Sequence, residues 1–260
     1  MGLNSLRDLE LSGVRWELSE NQGLTGPSKK QNTISQESSV IEAAPSTPAG
    51  SSTASDTMIP ALRPVVLSSA VESANGAADT TALCTAISAF NHPLKQFVKN
   101  TVLPHFTNSD LLIITDAPGA DDDDNAKILT GAAGELMNKM LSAIGLSRDN
   151  VSIVPLVFWR TPGGRTASRE ELDLAKPFVD RALSLLKSKA ILTLGILTAS
   201  EIANAKLPKD HGNLFATVDG IPVFPIYHPN YLMLKVDAKK DAWEALQKLE
   251  KLLKKPQESL

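Results

Sequence analysis

Short continuous runs of apolar residues alternate with amphipathic stretches in the part of the chain that follows residue 80. Four runs are typical of strands buried on both faces of a sheet: DLLIIT at 110–115, VSIVPLVF at 151–158, AILTLG at 190–195 and IPVFPIY at 221–227. Stretches between and after them, such as GAAGELMNKMLSAIG, place apolar residues at helical spacing. This order predicts an α/β fold with a mainly parallel sheet and helices on both faces.

The first part of the chain has a different composition. No aromatic residue occurs between Trp16 and Phe90, and residues 27–57 are rich in Ser, Thr, Pro and Ala. Such a segment cannot bury enough apolar surface to offset the entropy cost of ordering it. We therefore predict a short N-terminal helix or arm over 1–19, a disordered Ser/Thr/Pro-rich linker over 20–80 and a folded domain over 81–260.

The composition narrows the classes of function. The formal net charge is −3 over 260 residues, so no strong overall basic field favours nucleic acid, although a local basic surface stays open. Cys84 is the one cysteine, which excludes an intramolecular disulfide and an all-cysteine metal site. No apolar run is long enough to span a membrane, and the start lacks the apolar core of a signal peptide. We expect a cytoplasmic protein.

The carboxyl ends of the strands are where an open parallel sheet places its chemistry. Three loops leave those ends, at residues 116–127, 159–168 and 227–235. The residues in them that could carry chemistry are Asp116, Asp121–Asp124, Arg160, Arg165 and His228.

The acidic loop allows three interpretations. The first is a metal site, but adjacent aspartates point in different directions and lack the alternate spacing of a calcium loop. The second is a solvated turn, which suits most of Asp121–Asp124 because carboxylates before a helix are mildly stabilised by its dipole. The third is a catalytic acid, which suits Asp116 because it directly follows a buried strand. The residues alone leave the choice open.

The other two loops also have a structural and a functional interpretation. Arg160 and Arg165 surround a Pro-Gly-Gly turn, which could hold a phosphate or a nucleic-acid backbone or could be an ordinary surface loop. His228 stands before a proline and, taken alone, is as well explained by a structural role. The convergence of three such loops at one edge of the sheet favours a functional site.

In order and spacing, the segments TDAPGADDDD, TGAAGELMNKMLSAIGL, WRTPGGR, AILTLG and YHPNYLM resemble the bacterial family-4 uracil-DNA glycosylases. The resemblance implies a three-layer α/β/α sandwich around a four-stranded, mainly parallel sheet. It also implies an N-glycosyl hydrolase of base-excision repair, which flips a deoxyuridine out of DNA and cleaves the bond between base and sugar. The expected partner is DNA that contains deoxyuridine or a damaged base, and the expected state is a monomer.

The same resemblance assigns roles to individual residues. It implies catalytic functions for Asp116, Asp122 and His228, with Asp116 stabilising a cationic sugar and His228 the departing uracil anion. The implied substrate-binding residues are Ala117, Pro118, Gly119, Leu129, Gly131 and Pro155. The implied DNA-binding residues are Arg160, Gly163, Arg165, Tyr231, Met233 and Lys235.

Several positions depart from the family pattern. Leu129 stands where the family has a phenylalanine that stacks on uracil, and Pro155 stands where it has an asparagine that reads the base. Trp159 and Ala175 replace two cysteines of the family's iron–sulfur cluster, so we expect no cluster, no other cofactor and no metal. Activity is expected to be weak or directed at a related damaged base. The alternative is a catalytically degenerate member that binds DNA, or binds a repair partner through its N-terminal arm.

Overall fold

The computed structural model describes residues 62–217 and 219–254. The helices are α1 (Leu62–Asn75), α2 (Thr80–Ala89), α3 (Ala120–Asn125), α4 (Gly131–Ser142), α5 (Arg169–Leu185), α6 (Ile196–Ala203), α7 (Pro229–Leu234) and α8 (Ala238–Leu253). The strands are β1 (Leu111–Thr115), β2 (Ser152–Pro155), β3 (Ala190–Leu194), β4 (Phe215–Ala216) and β5 (Pro222–Ile226). None of the described helices is both long and apolar enough to cross a membrane.

The strands form one sheet in the order β2-β1-β3-β5-β4. Strand β1 is parallel to β2 and β3, β3 is parallel to β5, and β4 is antiparallel to β5. The prediction of a mainly parallel α/β sheet is confirmed, and its four parallel strands are those indicated by the apolar runs. The expected strand number of four is too low by one, because Phe215 and Ala216 fold back on β5 as a two-residue edge strand.

Helices cover both faces of the sheet, which explains why its strands are apolar at successive positions. Leu112 and Ile114 of β1 belong to a core cluster that includes residues of α1, α2 and α5. Leu111 and Ile113 point to the opposite face, since side chains alternate along a strand, and they are buried as well. Helix α8 packs against β5 and buries Leu246 and Leu249. The three-layer α/β/α arrangement follows from this burial.

Helix α1 lies within the range that the sequence predicts to be a linker. Its Ala70 and Ala74 are fully buried, and the carbonyl of Ala77 accepts hydrogen bonds from Nε and Nη2 of Arg181 at 2.9 and 2.7 Å. The sequence does not predict this helix, because the helix packs through alanine and lacks a continuous stripe of large apolar residues. Residues 1–61, including the predicted arm, lie outside the described residues.

Candidate active site

The carboxyl ends of β1, β3 and β5 bring three segments of the chain together. Asp116 follows β1, Gly195 follows β3, and His228 lies two residues after β5. A Cβ atom on Gly195 would lie 3.1 Å from Oδ2 of Asp116 and 3.5 Å from Cβ of His228. Gly195 also has a φ angle of 102°, which other residues rarely adopt. Glycine at this position therefore allows the acid and the histidine to approach one another.

The carboxyl group of Asp116 is largely removed from water at the end of β1. Burial raises its pKa from 3.8 to about 6, and a hydrogen bond from the backbone N–H of Thr198 opposes the rise. Its Oδ1 is buried and has no hydrogen-bond partner among the described residues. A carboxylate in this state is mostly ionised at neutral pH and can stabilise a nearby positive charge or orient a water molecule.

Two hydrogen bonds define the protonation of His228. Nδ1 accepts the backbone N–H of Asn230 at 3.1 Å, and Nε2 lies 3.2 Å from Oγ1 of Thr115. Because Nδ1 is an acceptor, the single proton of the neutral ring resides on Nε2. Burial lowers the pKa of His228 to about 4, and the charge of Asp122 offsets this only in part. At physiological pH His228 is therefore a neutral N–H donor.

Both carboxylate oxygens of Asp122 are occupied by the protein itself. Oδ2 accepts the backbone N–H of Gly119 at 3.0 Å. Oδ1 accepts both the backbone N–H and the hydroxyl group of Thr130, each at 2.7 Å. These bonds join the turn after β1 to the start of α4. They suit a residue that positions the two loops more than one that contacts a substrate, which is a different task from the catalytic one expected for Asp122.

The remaining aspartates of the run have unlike environments. Asp123 is buried, and its Oδ1 accepts the backbone N–H groups of Lys99 and Asn100 at 3.0 and 2.8 Å. Asp124 is exposed and pairs with Nζ of Lys99 at 2.6 Å. The interpretation as a solvated turn is therefore wrong for Asp123, because two backbone donors replace its water. No group of three or more His, Cys, Asp and Glu side chains in the described ranges is arranged to hold a metal ion.

A tight loop, residues 126–130, connects α3 to α4. It lies beside the turn at residues 117–119 that follows Asp116 (the acid turn). Leu129 is buried with a φ angle of 52°, and Gly131 follows with a φ angle of 59°. A Cβ atom on Gly131 would come within 1.9 Å of Oδ2 of Asp121, and one on Gly134 within 2.0 Å of the carbonyl oxygen of Leu129. Leu129, the position expected to stack on a base, is therefore a buried aliphatic residue with a left-handed backbone. Its carbonyl oxygen packs against Gly134 of α4.

Pro155 ends β2 and pairs with Thr115 in the sheet register. It is buried, and it offers neither a polar side chain nor a backbone N–H to a ligand. Of the other residues expected to bind substrate, Pro118 is buried, Ala117 is half-buried and Gly119 is exposed. None of the residues expected to bind substrate has a polar side chain, so their backbone groups are the ones that could form hydrogen bonds with a ligand.

The loop after β2, residues 159–168 (the arginine loop), contains two arginines with different partners. Arg165 forms a two-pronged ion pair with Glu171, with Nη1–Oε2 and Nη2–Oε1 distances of 2.8 and 2.6 Å. Lys99 and, to a smaller degree, Arg160 lower the pKa of Asp124, which places Arg160 near the acidic helix α3. Gly163 lies between the two arginines in an exposed turn with a φ angle of 65°.

Helix α7 presents apolar side chains to solvent immediately after His228. Leu234 is 81% exposed, and Tyr231 and Met233 are exposed as well. Lys235 follows at the end of the helix and is also exposed. Exposed apolar tips next to a positive charge have the character of side chains that enter a nucleic-acid stack.

The two positions implied as cluster ligands are part of the apolar core. Trp159 and Ala175 are fully buried. The Trp159 ring stacks on His92 with centroids 4.3 Å apart, and its Nε1 donates to Oγ1 of Thr101 at 3.0 Å. With Cys84 as the one cysteine of the chain, these residues do not fit an iron–sulfur cluster, because the thiolate ligands are missing and aromatic rings occupy the core.

Some residues of this edge have no role in the sequence prediction. Thr115 and Gly195 sit inside segments interpreted only as strand ends, although a glycine between an apolar run and a helix is a signal that could have been used. Ile196, 67% exposed at the start of α6, is a further exposed apolar side chain. Arg148 binds the carbonyl groups of Ile128 and Leu129, a contact between segments that no local pattern indicates.

Comparison with known proteins places this geometry in context. The family model described as the uracil DNA glycosylase superfamily matches residues 104–250. A type-4 uracil-DNA glycosylase of Pyrobaculum aerophilum is 35% identical over 112 residues, which cover 42% of this chain and 57% of that protein, less than two thirds of its length. Enzymes of the same name from Saccharolobus solfataricus and Sulfurisphaera tokodaii are 32% and 29% identical, covering 62% and 61% of this chain and 79% and 77% of theirs.

Proposed function

The chain belongs to the uracil-DNA glycosylase superfamily, and from that premise we propose that it is an N-glycosyl hydrolase that removes uracil, or a related damaged base, from DNA in base-excision repair. The observation that carries the proposal is the pairing of a buried, ionisable Asp116 with a neutral N–H donor, His228, across Gly195. The names of the relatives, type-4 uracil-DNA glycosylases, support the same reaction.

The reaction needs a negative group near the sugar and a hydrogen-bond donor near the leaving base. As the bond between the sugar C1′ and the base nitrogen breaks, its electron pair leaves with the base and the sugar becomes an oxocarbenium ion. The Asp116 carboxylate stabilises this cation and orients the water whose oxygen bonds to C1′. The water releases one proton to Asp116 or to solvent, and the departing base takes up a proton from solvent.

The role of His228 is to lower the energy of the departing anion. Its Nε2 carries the proton, which points to the Thr115 hydroxyl in the free protein and would be shared with or transferred as a hydrogen bond to a carbonyl oxygen of the base. Because the imidazolium form of His228 has a pKa of about 4, the ring carries one proton at neutral pH and has no second proton to give to the base. His228 therefore acts as an electrostatic stabiliser and not as a general acid.

DNA would approach along the edge formed by the arginine loop and α7. Arg160 and Arg165 would contact phosphates, while the exposed tips of Met233 and Leu234 would fill the space left by the flipped nucleotide. Lys235 and Tyr231 flank those tips. We propose a monomer that needs neither metal nor cofactor; cytoplasmic location and a partner for the N-terminal arm stay predictions.

A second candidate function rests on the base-reading positions. Leu129 and Pro155 are both buried, and neither can stack on or hydrogen-bond to uracil as an aromatic ring or an amide would. Loss of a buried hydrogen-bonding group from a recognition site costs several orders of magnitude in discrimination in the strongest cases. A protein of this kind would bind damaged DNA and leave catalysis to another enzyme.

Excision of uracil from a single-stranded oligonucleotide separates the two functions. The purified full-length protein is incubated with the oligonucleotide with and without EDTA, and abasic sites are revealed by alkaline cleavage. The hydrolase proposal expects cleavage at the deoxyuridine, unaffected by EDTA. Retained DNA binding without any abasic product would favour the binding function, and activity abolished by EDTA would contradict a metal-free site.

A further inference from the structure

Arg148 holds the backbone of the loop that connects α3 to α4. Its Nη1 donates to the carbonyl oxygen of Leu129 at 3.0 Å, and its Nη2 donates to the carbonyl oxygen of Ile128. The guanidinium thus grips two successive peptide groups through its planar fork, which a lysine ammonium cannot reproduce. The side chain reaches this loop from a 3-10 turn at Arg148–Asn150, about twenty residues further along the chain.

The gripped residue has a backbone conformation that needs support. Leu129 has a φ angle of 52°, in the left-handed region that is unfavourable for a residue with a side chain. Gly134 of α4 lies so close to its carbonyl oxygen that a Cβ atom there would come within 2.0 Å. The carbonyl of Leu129 is therefore fixed between the guanidinium and the glycine face of α4.

The neighbouring residue is held from the opposite side. Thr130 donates both its backbone N–H and its hydroxyl to Asp122, whose other oxygen binds the acid turn at Gly119. Arg148 and Asp122 also attract each other electrostatically. The loop is thus fixed at consecutive residues, by Arg148 at 128 and 129 and by Asp122 at 130.

The location of the loop connects it to the site. Helix α4 begins directly after it and packs against α7, whose first turn is capped by His228. On the other side, Asp122 ties it to the turn that follows Asp116. A shift of this loop would therefore displace both the turn that follows Asp116 and the helix that His228 caps.

We propose that Arg148 is a positioning residue that sets the shape of the base pocket by holding Leu129 in its left-handed conformation. The inference rests on the proposed function, since the pocket is that of the proposed glycosylase. Arg148 does not touch the reacting atoms, so its loss loosens the fit of the base and leaves the charges of Asp116 and His228 in place. The effect therefore appears mainly in KM and in the preference among bases, and less in kcat.

Arg181 supplies a matched control. Its guanidinium also donates two hydrogen bonds to a backbone carbonyl, that of Ala77, and so joins α5 to the segment after α1. Arg148→Met and Arg181→Met each remove one such grip while keeping the aliphatic stem, and Arg148→Lys keeps the charge without the fork. Steady-state excision kinetics and thermal unfolding are measured for all three variants and the wild type.

Arg148→Met is expected to raise KM for a deoxyuridine oligonucleotide about tenfold with a smaller change in kcat, and Arg148→Lys to recover part of the loss. Arg148→Met and Arg181→Met are expected to lower the melting temperature by similar amounts. Arg181→Met is expected to leave KM and kcat unchanged. Equal kinetic effects of the two Met variants, or a loss confined to kcat, would overturn the inference; if Arg148→Met does not fold, Arg148→Lys decides it by the same criteria. A wild type without excision would refute the proposed function, and this inference with it.

Discussion

Nε2 of His228 lies 3.2 Å from the hydroxyl oxygen of Thr115, the last residue of β1. The bond crosses from the end of one parallel strand to the segment after another, and Thr115 is itself followed by Asp116. The donor proposed for the leaving base and the carboxylate proposed for the sugar are therefore both held at the end of β1. Since Nδ1 accepts from the backbone, Nε2 carries the proton and donates it to the Thr115 hydroxyl, the partner that a substrate oxygen would replace or share.

The pH dependence of excision should follow Asp116. Its pKa of about 6 means that the active carboxylate is lost as the pH falls through 6, whereas the pKa of His228, about 4, keeps that ring neutral over the same range. We expect kcat/KM to rise up to about pH 6 and then level off. The profile is measured between about pH 5 and 8. A kcat/KM that instead decreases as the pH rises through about 6.5, as it would if a protonated histidine were required, would contradict this assignment.

Asp116→Asn should stabilise the protein at neutral pH while removing activity. The folded-state pKa of about 6 lies above 3.8, so the folded protein binds this proton more tightly, and the ionised carboxylate destabilises the fold above pH 6. The variant should gain roughly 3 kcal/mol in the free energy of unfolding at pH 8 and less than about 1 kcal/mol at pH 4. Chemical denaturation at both pH values measures the difference, and a variant less stable than wild type at pH 8 would refute it.

Asp122→Ala should act on stability first. It leaves the part-buried backbone N–H groups of Gly119 and Thr130 without their acceptor, at a cost of about 1 kcal/mol each. We expect a lower melting temperature together with a raised KM, and partial recovery in Asp122→Asn, which keeps one acceptor oxygen. Unchanged stability with a large loss of kcat would instead support the catalytic role that the resemblance implies for Asp122.

The two arginines of the turn should contribute unequally to DNA binding. Arg165 is already paired with Glu171 through two bonds, whereas Arg160 lies near Asp124 without a two-pronged partner of this kind in the described structure. Arg160→Gln should reduce the slope of log affinity against log salt by about 1, and Arg165→Gln by less. Arg181→Gln is the control, and equal slopes for all three would exclude this phosphate contact.

The parallel sheet was predictable because its strands are buried on both faces and read as continuous apolar runs. Asp116 and His228 could be predicted as site residues for the same reason, since each closely follows such a run. Asp123 was not, because its burial depends on backbone donors 23 and 24 residues earlier in the chain. Arg148 likewise binds carbonyls 19 and 20 residues away, and α1 packs through small alanines that resemble a linker.

The central claim is that Asp116 and His228 act together on the bond between base and sugar, and single-turnover excision tests it most directly. Wild type, Asp116→Asn, His228→Ala and the exposed control Asp124→Asn are compared on one single-stranded deoxyuridine oligonucleotide. We predict abasic product with wild type and the control, and rates lower by about 10²-fold or more for Asp116→Asn and His228→Ala, with DNA binding retained. Wild-type rates in Asp116→Asn would contradict the account.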